Sequence, residues 1–353
     1  MRSRSQIFHR VRVPLGLVAL NVAFAAAFIG TALSAYHEPT PHAVPFGIVA
    51  PARVTQAVHG TLEARSPGAF VLRAYASEAR VRVAITAREV DGALIAAPRR
   101  LTLLIARAGG SAPAQLLTTT FTGVAAQSRR PLDVVDAVPA LRDDSLGLSS
   151  FFTILCVLFP SLATGAASAH LFRRHRTVWR IAVPVAAAVT IGLTAAAIAA
   201  GITGFGDYLA VAGIVALFSL AISAPTAALG RIKLPLIGLA IVTFLIIGIP
   251  ASGGPSDLGA FGPGFLRALN PVLPLGVAAD AVRNTVYFHG HDTTGYLWVL
   301  GAWAAAGIGV LLVHPTRAWL RALLTHYGLR LRRRRGARAP SATRAPSGGT
   351  RPA

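Results

Sequence analysis

The sequence predicts a membrane protein, mainly α, with six transmembrane helices and a small extracytoplasmic α/β domain inserted between helices 1 and 2. Three observations predict it. Of 353 residues 54% are hydrophobic and only 13% charged, with a mean hydropathy of +0.58, which is far more apolar than a water-soluble chain of this length requires. Long uncharged runs recur, close to the roughly 20 residues that a helix needs to cross a bilayer. Charge is segregated: nine of the thirteen acids (Glu38, Glu63, Glu78, Glu89, Asp91, Asp133, Asp136, Asp143 and Asp144) fall in one polar interval, and the densest arginine clusters flank the apolar runs.

Residues 1–12, with Arg2, Arg4, Arg10 and Arg12, are expected to form a cytoplasmic N-terminus, followed by transmembrane helix 1 at 13–36. The uncharged stretch 13–35 is longer than the roughly 7–15 residues of a signal-peptide core, which favours an uncleaved anchor over a cleaved leader. Residues 37–147 are expected to form the extracytoplasmic α/β domain. Val71 to Tyr75 and Arg80 to Ile85 alternate polar and apolar positions, as strands covered on one face do. Asp91-Gly92 supplies a turn, Leu101 to Ile105 reads as a buried strand closed at Gly109-Gly110, and 112–126 as a helix weakened by its threonines. A polar, strand-like exit at 131–144 returns the chain to the membrane.

Residues 148–314 form the expected five-helix block, with spans at 148–172, 181–202, 208–229, 234–249 and 296–313. Within it, 250–295 is too long for a hairpin and too apolar for a solvated loop, so a re-entrant or interfacial outer segment is expected. Pro274 can begin a helix there, placing Leu275, Ala278, Ala279, Val282 and Val286 on one face and Asp280 three residues before Arg283, a pairing distance. Residues 315–353 read as a basic, disordered cytoplasmic tail. With both termini inside, twenty basic and no acidic residues lie in the cytoplasm against fourteen basic and thirteen acidic outside, as the positive-inside rule requires.

Composition and motifs also exclude. The basic runs lack interleaved aromatics, so the net charge of +21 does not point to nucleic acid. The one cysteine, Cys156, lies in an apolar run and permits neither a disulfide nor a cysteine metal site. His289-Gly290-His291-Asp292, and His37 with His42, read as turn and loop residues rather than metal ligands, and no cofactor is implied. Asp207, in a tight turn, is expected to cap the next span, and Ser149 and Ser150 lack a base, so no enzyme is indicated. Pro184, Pro225 and Pro235 mark kinks, and Gly192, Gly213 and Ala216 close helix packing. The arginines of the first inner loop, Arg173, Arg174, Arg176 and Arg180, are candidates for contact with lipid headgroups or a coupling partner, and the basic tail for contact with anionic lipid.

Three stretches carry a resemblance. They are Pro250-Ala251-Ser252-Gly253-Gly254 with Leu269-Asn270-Pro271-Val272-Leu273-Pro274-Leu275-Gly276, Asp280-Ala281-Val282-Arg283-Asn284 and Tyr287-Phe288; then Ala87 to Leu94; then Asp133 to Pro139 with Asp143-Asp144 and Gly147. Together, and in the order anchor helix, external domain, helix block, they resemble the ABC-2 type membrane proteins with a large extracellular domain, the YhgE/Pip-like group. The resemblance implies a permease-like export subunit working as a homodimer with a separate ABC ATPase, since the chain has no G-x-x-x-x-G-K-[ST] loop of its own. A non-transporting cell-envelope scaffold, binding through its external domain, is the alternative. Asp280, Arg283 and Asn284 are the candidate outer-mouth residues.

Overall fold

In the computed structural model residues 4–36, 41–172, 175–254 and 262–313 are described. The α/β module is built on a five-stranded sheet in the order β2-β1-β3-β4-β5. Strand β1 (Val44–Val49) leads through helix α2 (Ala52–Arg65) to β2 (Phe70–Ala74), and α3 (Glu78–Thr86) returns the chain to β3 (Gly92–Ala96). These three strands are parallel; β4 (Leu101–Ile105) turns back against β3, and α4 (Ser111–Ser128) leads to β5 (Leu132–Asp136), parallel to β4. One face of the sheet is covered by α2 and α4, where Phe46 stacks on Phe121 at 4.4 Å beside Leu62, Leu103 and Leu117. The other face carries α3 through Val81, Ala84 and Ile85.

Arg80 to Ile85, expected as a strand, is helical. Ser77 caps the helix by accepting from the Arg80 N–H, and Glu78 pairs with Arg82 one turn on at 2.7 Å. The alternation of Val81, Val83 and Ile85 is compatible with both periods, and burial decides: Val81, Ala84 and Ile85 share the covered stripe while Val83 is 66% exposed.

Among the described residues five helices are long and apolar enough to cross a membrane: α5 (Ser149–Leu171), α6 (Thr177–Thr203), α7 (Tyr208–Ile232), the interrupted rod Leu234–Ala251 and α12 (Thr293–Leu312). The chain is therefore a multi-pass membrane protein. The expected helix 1 lies in α1 (Arg4–Tyr36), which includes the apolar stretch Asn21–Ala35. The rod comprises a 3-10 start, α8 (Ile237–Ile241), a π-helical stretch Val242–Ile247 and α9 (Gly248–Ala251).

Helix α7 is the axis of the bundle. A Cβ at Gly165 of α5 would lie 2.6 Å from the Ser223 carbonyl oxygen, and one at Gly192 of α6 would lie 2.5 Å from that of Ala212. Gly307 of α12 abuts the backbone of Ala224 and Pro225. Small residues thus let three helices approach α7 closely; Gly213, expected to do the same, faces open space. The C-terminal ends of α5 and α7 meet where Gly230 abuts Ala169, and Ile181 packs there against Ala227, Ala228 and Leu311. That end carries Arg176, Arg180, Arg231 and Lys233. The sheet lies at the opposite end, where α1 ends against the rod: the Thr31 hydroxyl donates to the Ile246 carbonyl at 3.0 Å, and Ala35 packs with Ala251, Leu266 and Leu273.

Candidate functional site

Helix α10 (Gly264–Leu269) leads into α11 (Pro274–Tyr287), which begins at a proline, as its sequence predicts. A surface-lying helix would bury one stripe only. Instead Leu275, Ala278 and Val282 face the bundle core, and Arg283 and Asn284 on another face are buried as well. The end of α11 inserts between the membrane helices and the sheet, so that Tyr287 and Phe288 complete the apolar cluster of Val81, Ile85, Leu104 and Val138.

A chain of polar contacts fastens this insertion. The Tyr287 hydroxyl donates to Asp144 Oδ2 at 2.5 Å. The other carboxylate oxygen, Oδ1, accepts from the backbone N–H groups of Leu148 and Ser149 at 3.0 and 3.1 Å, satisfying donors that the start of α5 would otherwise leave open. Burial and then the Asp144 hydrogen bond push the Tyr287 phenol well above its ordinary value, so it stays a neutral donor. One turn back, Arg283 Nη1 donates to Asp280 Oδ1 at 2.7 Å, with the Arg283 side chain 3% and Asp280 19% exposed. From the sheet side, Arg88, held at φ 58°, donates to Asn284 Oδ1 at 3.1 Å and lays its guanidinium 5.1 Å from the Phe288 ring centroid. Asn284 Nδ2 closes the following turn by donating to the His291 carbonyl at 2.8 Å.

Asp280, Arg283 and Asn284 are thus brought together, with Asp144, Arg88 and Tyr287 as partners that sequence reasoning did not single out as site residues. A signal for them existed, because Arg88, Asp143-Asp144 and Tyr287-Phe288 all lie in the three stretches that carry the resemblance, and those stretches converge here. These contacts tie α11 to the sheet and to the start of α5, which is the work of a clamp. Of the basic candidates, Arg176 is exposed just before α6, and Arg180 Nε donates to the Phe172 carbonyl at 3.2 Å; Arg173 and Arg174 lie outside the described residues, as do His37 and the whole tail. Asp207, expected to cap α7, stands before it in a left-handed conformation and makes no side-chain capping bond. Ser150 is fully buried, and among the described residues its hydroxyl has no hydrogen-bond partner. Among the described residues no three His, Cys, Asp or Glu side chains gather at a metal-binding distance.

A second feature lies in the bundle near its basic end. An apolar groove of about 310 Å³ opens between α7, the rod and α12, lined by Pro225, Leu229, Leu239, Phe244, Trp303 and Val310 among others, with no charged side chain. Its wall includes Thr243 and Phe244 of the π-helical stretch, a backbone irregularity often found at functional sites. Comparison with protein families, curated proteins and solved structures finds no match to this chain.

Proposed function

We propose that the chain is an ABC-2 type permease-like export subunit of the cell membrane, which moves a lipophilic substrate and relies on a separate ABC ATPase. In this reading α1 is the sixth span, both termini are cytoplasmic, the α/β module is extracytoplasmic and two copies of the chain work together among membrane lipids. The observation that carries it is the groove between α7, the rod and α12: an uncharged cleft of about 310 Å³ suits a hydrocarbon cargo. Two others support it. Arg176, Arg180, Arg231 and Lys233 lie at the end of the bundle away from the module, as the positive-inside rule requires of a cytoplasmic face, and the stretches that carry the resemblance meet at one junction.

A second reading, a non-transporting cell-envelope scaffold, is favoured by the shortness of the links at that same face. Only residues 172–176 separate α5 from α6, and only Lys233 separates α7 from the next 3-10 turn, leaving little surface there for an ATPase. Affinity purification in mild detergent, paired with export assays on a deletion strain, separates the two. The permease reading expects a co-purifying ATPase and retained lipophilic compounds in the deletion strain. An intact export phenotype with no ATPase in the eluate overturns it in favour of the scaffold.

A further inference from the structure

We propose that the α/β module binds a single-chain anionic amphiphile, an acyl chain ending in a carboxylate or phosphate, in the cleft between α2 and α4. The inference goes beyond the permease reading and does not require it. The cleft has a volume of about 410 Å³, within the range of about 300–1,000 Å³ typical of small-molecule sites. Val58, Leu94, Leu101 and Val124 form its apolar lining, and Arg53 and Arg130 border it.

The topology places this cleft where an α/β sheet presents a ligand. From β1 the chain moves through α2 to β2 on one side, whereas the strand that follows β3 lies on the other, so the order reverses between β1 and β3. Ligands of open α/β sheets bind outside the carboxyl ends of the strands at such a point. The start of α2, the end of α4 and the first residue of β4 all lie at that edge and all line the cleft.

The charge at this edge is one-sided. Arg99 and Arg100 lie in the β3–β4 turn, Arg129 and Arg130 follow α4, and Arg53 sits in the first turn of α2; among the described residues none of the five forms a salt bridge. Arg130 Nη1 donates to the Ala97 carbonyl at 3.4 Å, which holds its guanidinium over the turn. The nearest acid in β5 is Asp133, adjacent to Leu132; because side chains alternate and Leu132 joins the α2–α4 core, Asp133 points to the opposite face. The module's other large cleft, beside the start of α4, differs in this respect, since its Arg107 already faces Asp136 at 3.8 Å. An apolar cleft with uncompensated guanidinium groups at its border matches a hydrocarbon chain with an acid head, which a guanidinium engages through paired hydrogen bonds.

The test uses the full chain in non-ionic detergent and three photoreactive probes of equal chain length: a diazirine fatty acid, its lysophosphatidate analogue and its primary alcohol. After irradiation, both acids, or one of them, are expected to label peptides within 53–61 and 124–130 at least tenfold more than the alcohol does. Which acid labels more strongly identifies the head. Arg53→Gln with Arg130→Gln is expected to lower that labelling tenfold, and Ala57→Trp, which fills the cleft and keeps both arginines, to do the same. Labelling of residues 225–244 in the bundle should not change in either variant, which reports an intact fold. Equal labelling by the alcohol, labelling confined to the membrane helices, or full protection by millimolar inorganic phosphate each overturns the proposal; the last would leave an anion site without a chain site.

Discussion

Asp144 bonds two elements at once: one carboxylate oxygen closes the start of α5 and the other accepts a hydrogen bond from the Tyr287 hydroxyl, 143 residues away. Removing the hydroxyl by Tyr287→Phe keeps the ring against Phe205 and Phe288 but deletes a hydrogen bond to a charged group, at an expected cost of about 1.5–3 kcal/mol. The same bond sets a pH dependence. Because the folded state holds the phenol above its unfolded value near 10, the contribution is whole below about pH 10 and is lost as pH rises from there toward the folded value. Thermal unfolding in detergent between pH 8 and pH 11 should show this alkaline decline, and Tyr287→Phe should flatten it. Tyr75, raised by burial and by Glu89, shifts the same way, so Tyr75→Phe is the control for the remainder. At Arg283 the expected effect is larger. Arg283→Ala breaks a largely buried ion pair with Asp280 and should cost about 3–5 kcal/mol, with the double variant Asp280→Asn, Arg283→Met recovering much of it. Equal melting temperatures for the single and double variants would show that the pair is not coupled.

Among the elements, the glycines of the bundle separate packing from composition. Gly165→Val should destabilise by about 1–3 kcal/mol because its Cβ meets the α7 backbone, whereas Gly213→Val should change stability by less than about 0.5 kcal/mol. Detergent melting curves of the two variants check this, and a similar loss in both would refute the close contact. The helices themselves were legible because twenty apolar residues in a row admit few alternatives, and the helix from Pro274 was legible because its proline, its spacing and its i,i+3 ion pair are all local. Strand β1 and helix α2 were not: Pro45 and Gly47 interrupt the alternation of β1, and His59-Gly60 interrupts the apolar stripe of α2. Helix α3 was misread because three β-branched residues at alternate positions suit a strand, and only Ser77 and the Glu78–Arg82 pair argue otherwise. The partners of Asn284 and Tyr287 lie in the stretches that carry the resemblance, but the pairing itself was illegible for a different reason. Arg88 and Asp144 reach them across 196 and 143 residues, and no local pattern encodes a contact of that separation.

For the whole molecule, the proposed topology is testable with a single thiol. In a Cys156→Ala background, Val83→Cys on the exposed face of α3 should react with a membrane-impermeant maleimide on intact cells, while Ser341→Cys in the tail should react only after lysis. The reverse pattern would invert the orientation and remove the permease reading with it. The insertion of Tyr287 and Phe288 into the sheet's apolar cluster also orders events in time. A ribosome finishes residue 147 long before it reaches residue 288, so the nascent module has one side of its sheet still waiting for a lid. Completion of that side therefore waits for α11 to be made and docked.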